Sequence, residues 1–137
     1  MVRGCPRPYL SRMKTVISTS RAPRPFGPYS QGIAAGGFLY IAGQVPADPD
    51  TNALIGGTVA EQTARVLDNI TAILEAAGVT RAAVVQARVY LRHFADFAEM
   101  NAVYAEYFPE EPPVRTTVEV VLHEGLDVEI DAVAVLG

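Results

Sequence analysis

The sequence predicts an α+β sandwich in the order βββαβαββ, with two helices on one face of a mainly antiparallel sheet. Three observations lead there. Apolar residues recur at helical spacing over residues 59–77 and again over 97–108. Runs of β-branched and aromatic residues that alternate with period two lie before, between and after those stretches, bounded by Gly and Pro. The chain closes on two such runs, at 114–122 and 127–135.

At 137 residues the chain makes one domain. Half of its residues are hydrophobic and 19% are charged, so a normal core forms without disulfide or metal staples. The net charge of -4 argues against nucleic acid as a partner, because that binding rests on cations that neutralise phosphates. No run of 18 apolar residues is present, and no membrane span is expected. Cys5 stands alone and cannot form an internal disulfide, which fits a reducing, cytoplasmic setting.

Residues 1–12 carry Arg3, Arg7 and Arg12 with Pro6 and Pro8 but no apolar core. They read as a disordered extension ahead of a domain spanning 13–137, and not as a secretory signal. Residues 15–19 make a short strand, followed by a Pro-rich loop over 21–28. Strands follow at 32–35 and 38–45, and Gly36-Gly37 between them signals a hairpin. A loop rich in Asp, Pro and Gly covers 47–57. Thr58 and Glu61 form a capping box that opens the first helix, and Gly78 closes it as the left-handed residue past the C-cap. Its stripe of Val59, Val66, Leu67, Ile70, Ile73 and Leu74 is a core face with no chemistry in it. A strand at 83–91 precedes the second helix, for which Asp96 is the expected N-cap with Glu99 three residues on. Pro112 and Pro113 stop that helix and launch the next strand.

The last two strands carry the polar signal. In the first, Thr116, Val118, Val120 and Leu122 form the set expected to bury, leaving Arg115, Thr117, Glu119 and Val121 opposite. In the second, Val128, Ile130, Ala132 and Ala134 oppose Glu129, Asp131, Val133 and Val135. The expectation is that Arg115 and the carboxylates meet on one sheet face. A face that mixes charges with valines suits neither open water nor a dry core, so a partner subunit is expected over it.

Each polar candidate has a structural and a chemical reading. Arg115 is either an ion-pair partner of Glu119, Glu129 or Asp131, or a planar fork for a carboxylate or phosphate. Glu129 is either a counter-ion for Arg115 or Arg88, or a base that orients water. Tyr29, in Gly27-Pro28-Tyr29, either packs its loop or donates a hydrogen bond to a ligand, and Asn101 either caps a neighbouring backbone group or binds ligand. His93 and His123 lack the spacing of metal ligands, and no metal is expected. Thr116 and Thr117 have no base partner for nucleophilic catalysis. Gly32, Gly36 and Gly37 read as turn glycines, and no phosphate-loop motif is present.

From about residue 13 onward the chain resembles the RidA/YjgF reactive-intermediate deaminases. The residues that carry the likeness are Gly27-Pro28-Tyr29-Ser30-Gln31, Ile41-Ala42-Gly43-Gln44-Val45-Pro46, Asn101 within 97–104, Pro113-Val114-Arg115-Thr116-Thr117-Val118-Glu119-Val120, and the closing 128–134. The resemblance implies a chorismate-mutase-like fold, a homotrimer with sites between subunits, and no cofactor or metal. The implied activity is hydrolysis of 2-imino acids such as 2-iminobutanoate and 2-iminopropanoate to 2-keto acids and ammonia. Carried over, Arg115 grips the substrate carboxylate and Glu129 positions or activates water. Tyr29 and Asn101 line the pocket, and the backbone around Gly43 and Thr117 completes it. Two positions depart from the pattern: Thr117 stands where many deaminase members carry Cys, and Ala42 where many carry Ser. An altered substrate preference is expected from them. Two other readings remain: a non-catalytic trimer that binds small carboxylates, and a ribonuclease or translation inhibitor, to which the acidic charge gives little support.

Overall fold

The computed structural model describes residues 13–137, so the expectation for residues 1–12 lies outside the described residues. The elements are β1 (Thr15–Ile17), β2 (Gly32–Ala35), β3 (Phe38–Gln44), α1 (Val59–Ala76), β4 (Val84–Leu91), α2 (Phe97–Tyr107), β5 (Val114–Glu119) and β6 (Val128–Val135). Short 3-10 turns at Arg81–Ala83 and Phe94–Asp96 lead into β4 and α2. The order βββαβαββ is the one the sequence predicts. The strands form one sheet in the order β1-β2-β3-β6-β4-β5. All neighbours are antiparallel except β4 and β5, which run parallel because α2 carries the chain back between them.

Both helices lie on the same sheet face. Leu39 and Ile41 of β3, Ala87, Val89 and Leu91 of β4, and Val128, Ile130, Ala132 and Ala134 of β6 are buried there with Val66, Leu67, Ile70, Ile73 and Leu74 of α1 and Met100 of α2. The start of α1 follows the sequence closely. Thr58 Oγ1 accepts the Glu61 N–H at 3.1 Å, and Glu61 Oε1 accepts the Thr58 N–H at 3.0 Å. Gly78 sits at φ 83°, as a residue past the C-cap does. Gly36 and Gly37, at φ 60° and 85°, make the tight hairpin between β2 and β3. Gly32 is not a turn residue. It opens β2, and a Cβ there would meet Ile73 Cγ2 at 3.1 Å.

Asp96 stands at the N-cap position of α2, as expected, but it also closes the preceding 3-10 turn and makes no capping hydrogen bond with its side chain. Glu99 instead accepts the Ala60 N–H at 2.9 Å, so it caps the neighbouring helix α1 and ties the two N-termini together.

The larger correction concerns β5. Its alternation is as read, but the faces are exchanged. The parallel register sets Arg115 beside Ala87 and Thr117 beside Val89, both core-facing residues of β4. Arg115 and Thr117 therefore point to the helix side, while Thr116 and Val118 are exposed on the open side. Period two divides a strand into two sets without saying which is inside, and on an edge strand only the neighbour's register decides. The strand also ends at Glu119, and Val121 is 98% exposed. Glu129 and Asp131 lie on the open side, paired across to Tyr90 and Arg88. Arg115 and Glu129 are thus on opposite faces, with β4 between their strands. The open face also exposes Val16, Phe38, Tyr40, Val118 and Val135.

Candidate functional site

The open face holds a cavity of about 560 Å³ at one end of β3 and β6. Its polar wall is Glu129, Gly43, Tyr29 and His123, and its apolar wall is Ala42, Val45, Leu54 and Leu126 with Phe26. A bulge shapes it. Between Ile41 and Gln44 of β3 the pairing advances three residues against two on β6, from Ala132 to Ile130, so Ala42 and Gly43 stand opposite Asp131 alone. That places Gly43 directly beneath Glu129. A Cβ on Gly43 would run into Glu129 Oε2 and stand 3.2 Å from Cδ. The missing side chain at position 43 is what lets the carboxylate lie there.

Glu129 is half-buried. Burial, and secondarily the negative charge of Asp131, push its pKa above the usual glutamate value. Asp131 is itself engaged: Arg88 Nε donates to one oxygen at 2.9 Å and Tyr90 Oη to the other at 2.9 Å. Among the described residues the ion pairs are Arg21–Glu75, Arg88–Asp131 and Arg92–Asp127, so Glu129 has no cationic partner. The reading of Glu129 as a counter-ion for Arg115 or Arg88 does not hold.

Tyr29 enters from the loop between β1 and β2. Its Oη accepts the Phe26 N–H at 3.0 Å, which leaves its own proton free. Gln31 clamps that loop: its amide donates to the carbonyls of Thr19, Ala22 and Pro23, and its oxygen accepts the Thr19 N–H at 2.7 Å. Asn69 of α1 holds the far end of β3 by donating to Val45 O and Ala47 O. Both amides are buried, and sequence reasoning passed over both; a buried-looking Gln at a strand start and an Asn within an apolar helix stripe were the available signals.

A second cavity, of about 420 Å³, opens at the sheet edge between α2 and β5. Arg115, Asn101 and Tyr104 line it, with Pro112 and Pro113 at the entrance to β5. Arg115 lies over the Tyr104 ring at 4.7 Å and the Phe97 ring at 5.4 Å. It has no carboxylate partner among the described residues. Glu119, four residues along on the same side of β5, instead accepts the Phe94 N–H at 2.7 Å. Thr117 Oγ1 is buried without a hydrogen-bond partner among the described residues.

The predicted residues therefore fall into two groups. Tyr29, Gly43 and Glu129 come together in the first cavity, and Arg115 and Asn101 in the second, with Thr117 on the same side of β5 as Arg115. No sequence pattern singled out Leu54 or Leu126 of the first cavity, or the rings beneath Arg115. Among the described residues no group of three or more His, Cys, Asp or Glu side chains is placed to hold a metal ion, and no helix is long and apolar enough to cross a membrane.

The family model described as Endoribonuclease L-PSP matches residues 19–136. The chain belongs to that family, which is also the RidA/YjgF family. It is 54% identical over 123 residues to a RutC family protein of Pyrococcus horikoshii, covering 89% of this chain and 98% of that one. It is 42% identical over 128 residues to the 2-iminobutanoate/2-iminopropanoate deaminase of Bos taurus, covering 93% of each. Among solved structures, a putative endoribonuclease from Thermotoga maritima superimposes with a TM-score of 0.88 at 40% identity, covering 91% of this chain and 99% of that one. E. coli TdcF with bound serine gives 0.84 at 35% identity, covering 90% and 99%. These neighbours share the two helices packed on a mostly antiparallel sheet.

Proposed function

We propose that this chain hydrolyses 2-imino acids such as 2-iminobutanoate and 2-iminopropanoate to 2-keto acids and ammonia, at sites shared by two subunits of a homotrimer. The observation that carries the reading is a pair of opposite charges, Glu129 and Arg115, without ion-pair partners among the described residues, each in a cavity and on opposite faces of the same sheet. One chain cannot bring them to one substrate; the face of one copy set against the edge of the next can. Such head-to-tail contacts close into a ring when the rotation allows, and three copies is the closure proposed here. The exposed apolar residues of the open face are what that contact buries. The name of the bovine relative supports the substrate class.

In this reading Arg115 takes the substrate carboxylate in a bidentate fork, with Asn101 and Thr117 beside it. The short alkyl chain lies against Ala42, Val45 and Leu126 of the adjoining copy. Glu129 holds a water and removes its proton as the oxygen attacks the C=N carbon. Tyr29 donates a hydrogen bond into the same cavity. As the C–O bond forms, the C=N pair moves to nitrogen, which takes the proton Glu129 has received, giving a neutral carbinolamine; Glu129 then passes the hydroxyl proton to that nitrogen, the C–N bond breaks as the carbonyl forms, and ammonia and the keto acid leave. A non-catalytic carboxylate binder needs Arg115 but gives no role to a half-buried Glu129 that has no ion-pair partner among the described residues. A ribonuclease needs a basic groove, and the net charge of -4 does not favour one.

The test generates imines in situ with an amino-acid oxidase and follows their loss with and without the protein. A clear acceleration is expected. Imine loss at the spontaneous rate, with a folded protein at micromolar concentration, rejects the reading.

A further inference from the structure

Among the described residues Arg115 is a guanidinium without a carboxylate partner, and such a group normally sweeps a wide volume. Here its surroundings are built from rings. Phe97 and Tyr104 stand seven residues apart on α2, and so on one face of that helix. Arg115 lies over both, at 5.4 Å from the Phe97 centroid and 4.7 Å from that of Tyr104. Each ring is backed by another. Phe94 stacks on Phe97 at 5.1 Å and 13°, and Phe108 packs against Tyr104 at 4.8 Å. Tyr104 is only 5% exposed, with Met100 fully buried one turn before it. Glu119, the carboxylate nearest in sequence on the same side of β5, is drawn off by the Phe94 N–H and anchors the turn that carries the outer ring.

We infer that Phe97 and Tyr104 are positioning residues, an aromatic cradle that fixes the plane of the Arg115 guanidinium while leaving its N–H edges free for the substrate carboxylate. The chemistry explains why rings serve here and a carboxylate does not. Asp or Glu binds guanidinium through the same N–H fork that a substrate carboxylate needs, and neutralises its charge. A ring meets the flat face of the cation and leaves the fork open. This rests on the reading that Arg115 binds substrate carboxylate, and it adds how the residue is held ready.

The test compares Tyr104→Leu, Tyr104→Phe and Phe97→Leu, each also combined with Arg115→Lys, for KM and kcat on an imine and for affinity toward the keto-acid product. Loss of either ring should raise KM and weaken keto-acid binding roughly threefold to tenfold, the scale of a partly desolvated cation–ring contact, with kcat changed less. Tyr104→Phe keeps the ring and should restore KM to within about twofold of the parent. In the Arg115→Lys background, where the planar group is gone, removing a ring should cost less than it does alone. A folded Tyr104→Leu with an unchanged KM overturns the cradle, as does Tyr104→Phe losing as much as Tyr104→Leu. If Tyr104→Leu does not fold, Phe97→Leu, at the partly exposed start of α2, decides in its place. Should Arg115→Ala hydrolyse imines normally, it is the functional reading that fails, and the cradle with it; if Arg115→Ala is inactive and both Leu variants keep parental KM, only the cradle fails.

Discussion

Glu129 and Arg115 are held ready by opposite means. Glu129 is a carboxylate made uncomfortable: half-buried, beside a second negative charge, with a glycine cleared from beneath it. Arg115 is a cation made comfortable, laid over two ring faces at the edge of the core. Desolvation and like charge turn a carboxylate into a better base; rings hold a cation still without using its donors. One sheet thus sets two cavities with opposite electrostatics on its two faces, and the proposed function needs both.

The sharpest way to break the comparison is to neutralise the acid half. Glu129→Gln keeps shape and a hydrogen bond but removes the base, and kcat should fall about 10²-fold or more while keto-acid binding survives, as read by steady-state kinetics and a product titration. A parental kcat would mean that Glu129 is not the base. On the cationic half, Arg115→Lys keeps the charge and loses the planar fork, so kcat/KM should drop roughly tenfold or more, mainly through KM. Gly43→Ala drives a methyl into the Glu129 carboxylate, which is the movable partner. A loss of roughly tenfold in kcat is expected from the displaced base, with little change in melting temperature. A large loss of stability instead would show the bulge, and not the carboxylate, to be what Gly43 serves.

The smallest effects are in pH. A raised pKa means that Glu129 is still partly protonated at a pH where an ordinary glutamate is ionised, so the acid limb of kcat/KM should lie above the usual glutamate range. Asp131→Asn removes the lesser of the two causes and should move that limb part of the way down. Stability has a definite sign as well. A carboxyl with a raised folded-state pKa favours the fold below its unfolded pKa, and that contribution is lost as pH rises through the folded value. Glu129→Gln should therefore raise the melting temperature at neutral pH and lose that advantage as pH falls below the unfolded glutamate pKa. Equal shifts at both pH values would put the effect in packing.

Much of the fold was legible because it rests on local rules. The Thr58–Glu61 capping box, the φ-positive Gly78 and the Gly36-Gly37 hairpin each depend on residues within one turn of chain. The errors lie where a distant neighbour decides. Asp96 has cap chemistry, but the chain enters α2 through a 3-10 turn and Glu99 is claimed by the N-terminus of α1. β5 alternates as expected, yet its pairing with β4 exchanges its faces. The candidate site residues were read from family motifs and from their charge. That Arg115 and Glu129 part company across the sheet depends on strand order, which no local pattern holds. Nor did any pattern mark Phe97 and Tyr104 as more than the apolar side of a helix.

The central claim is that an active site takes its base from one copy and its guanidinium from another. Mixing two inactive variants tests it most directly. Arg115→Ala and Glu129→Gln subunits are each prepared, unfolded together in equal amounts, refolded and assayed for imine hydrolysis. In a ring with shared sites and random assembly, about a quarter of the interfaces join an intact Arg115 to an intact Glu129, so the mixture should recover about a quarter of the parental rate. If the mixture stays as inactive as its components while parental protein taken through the same refolding regains its rate, the two residues do not meet across subunits, and the account is contradicted.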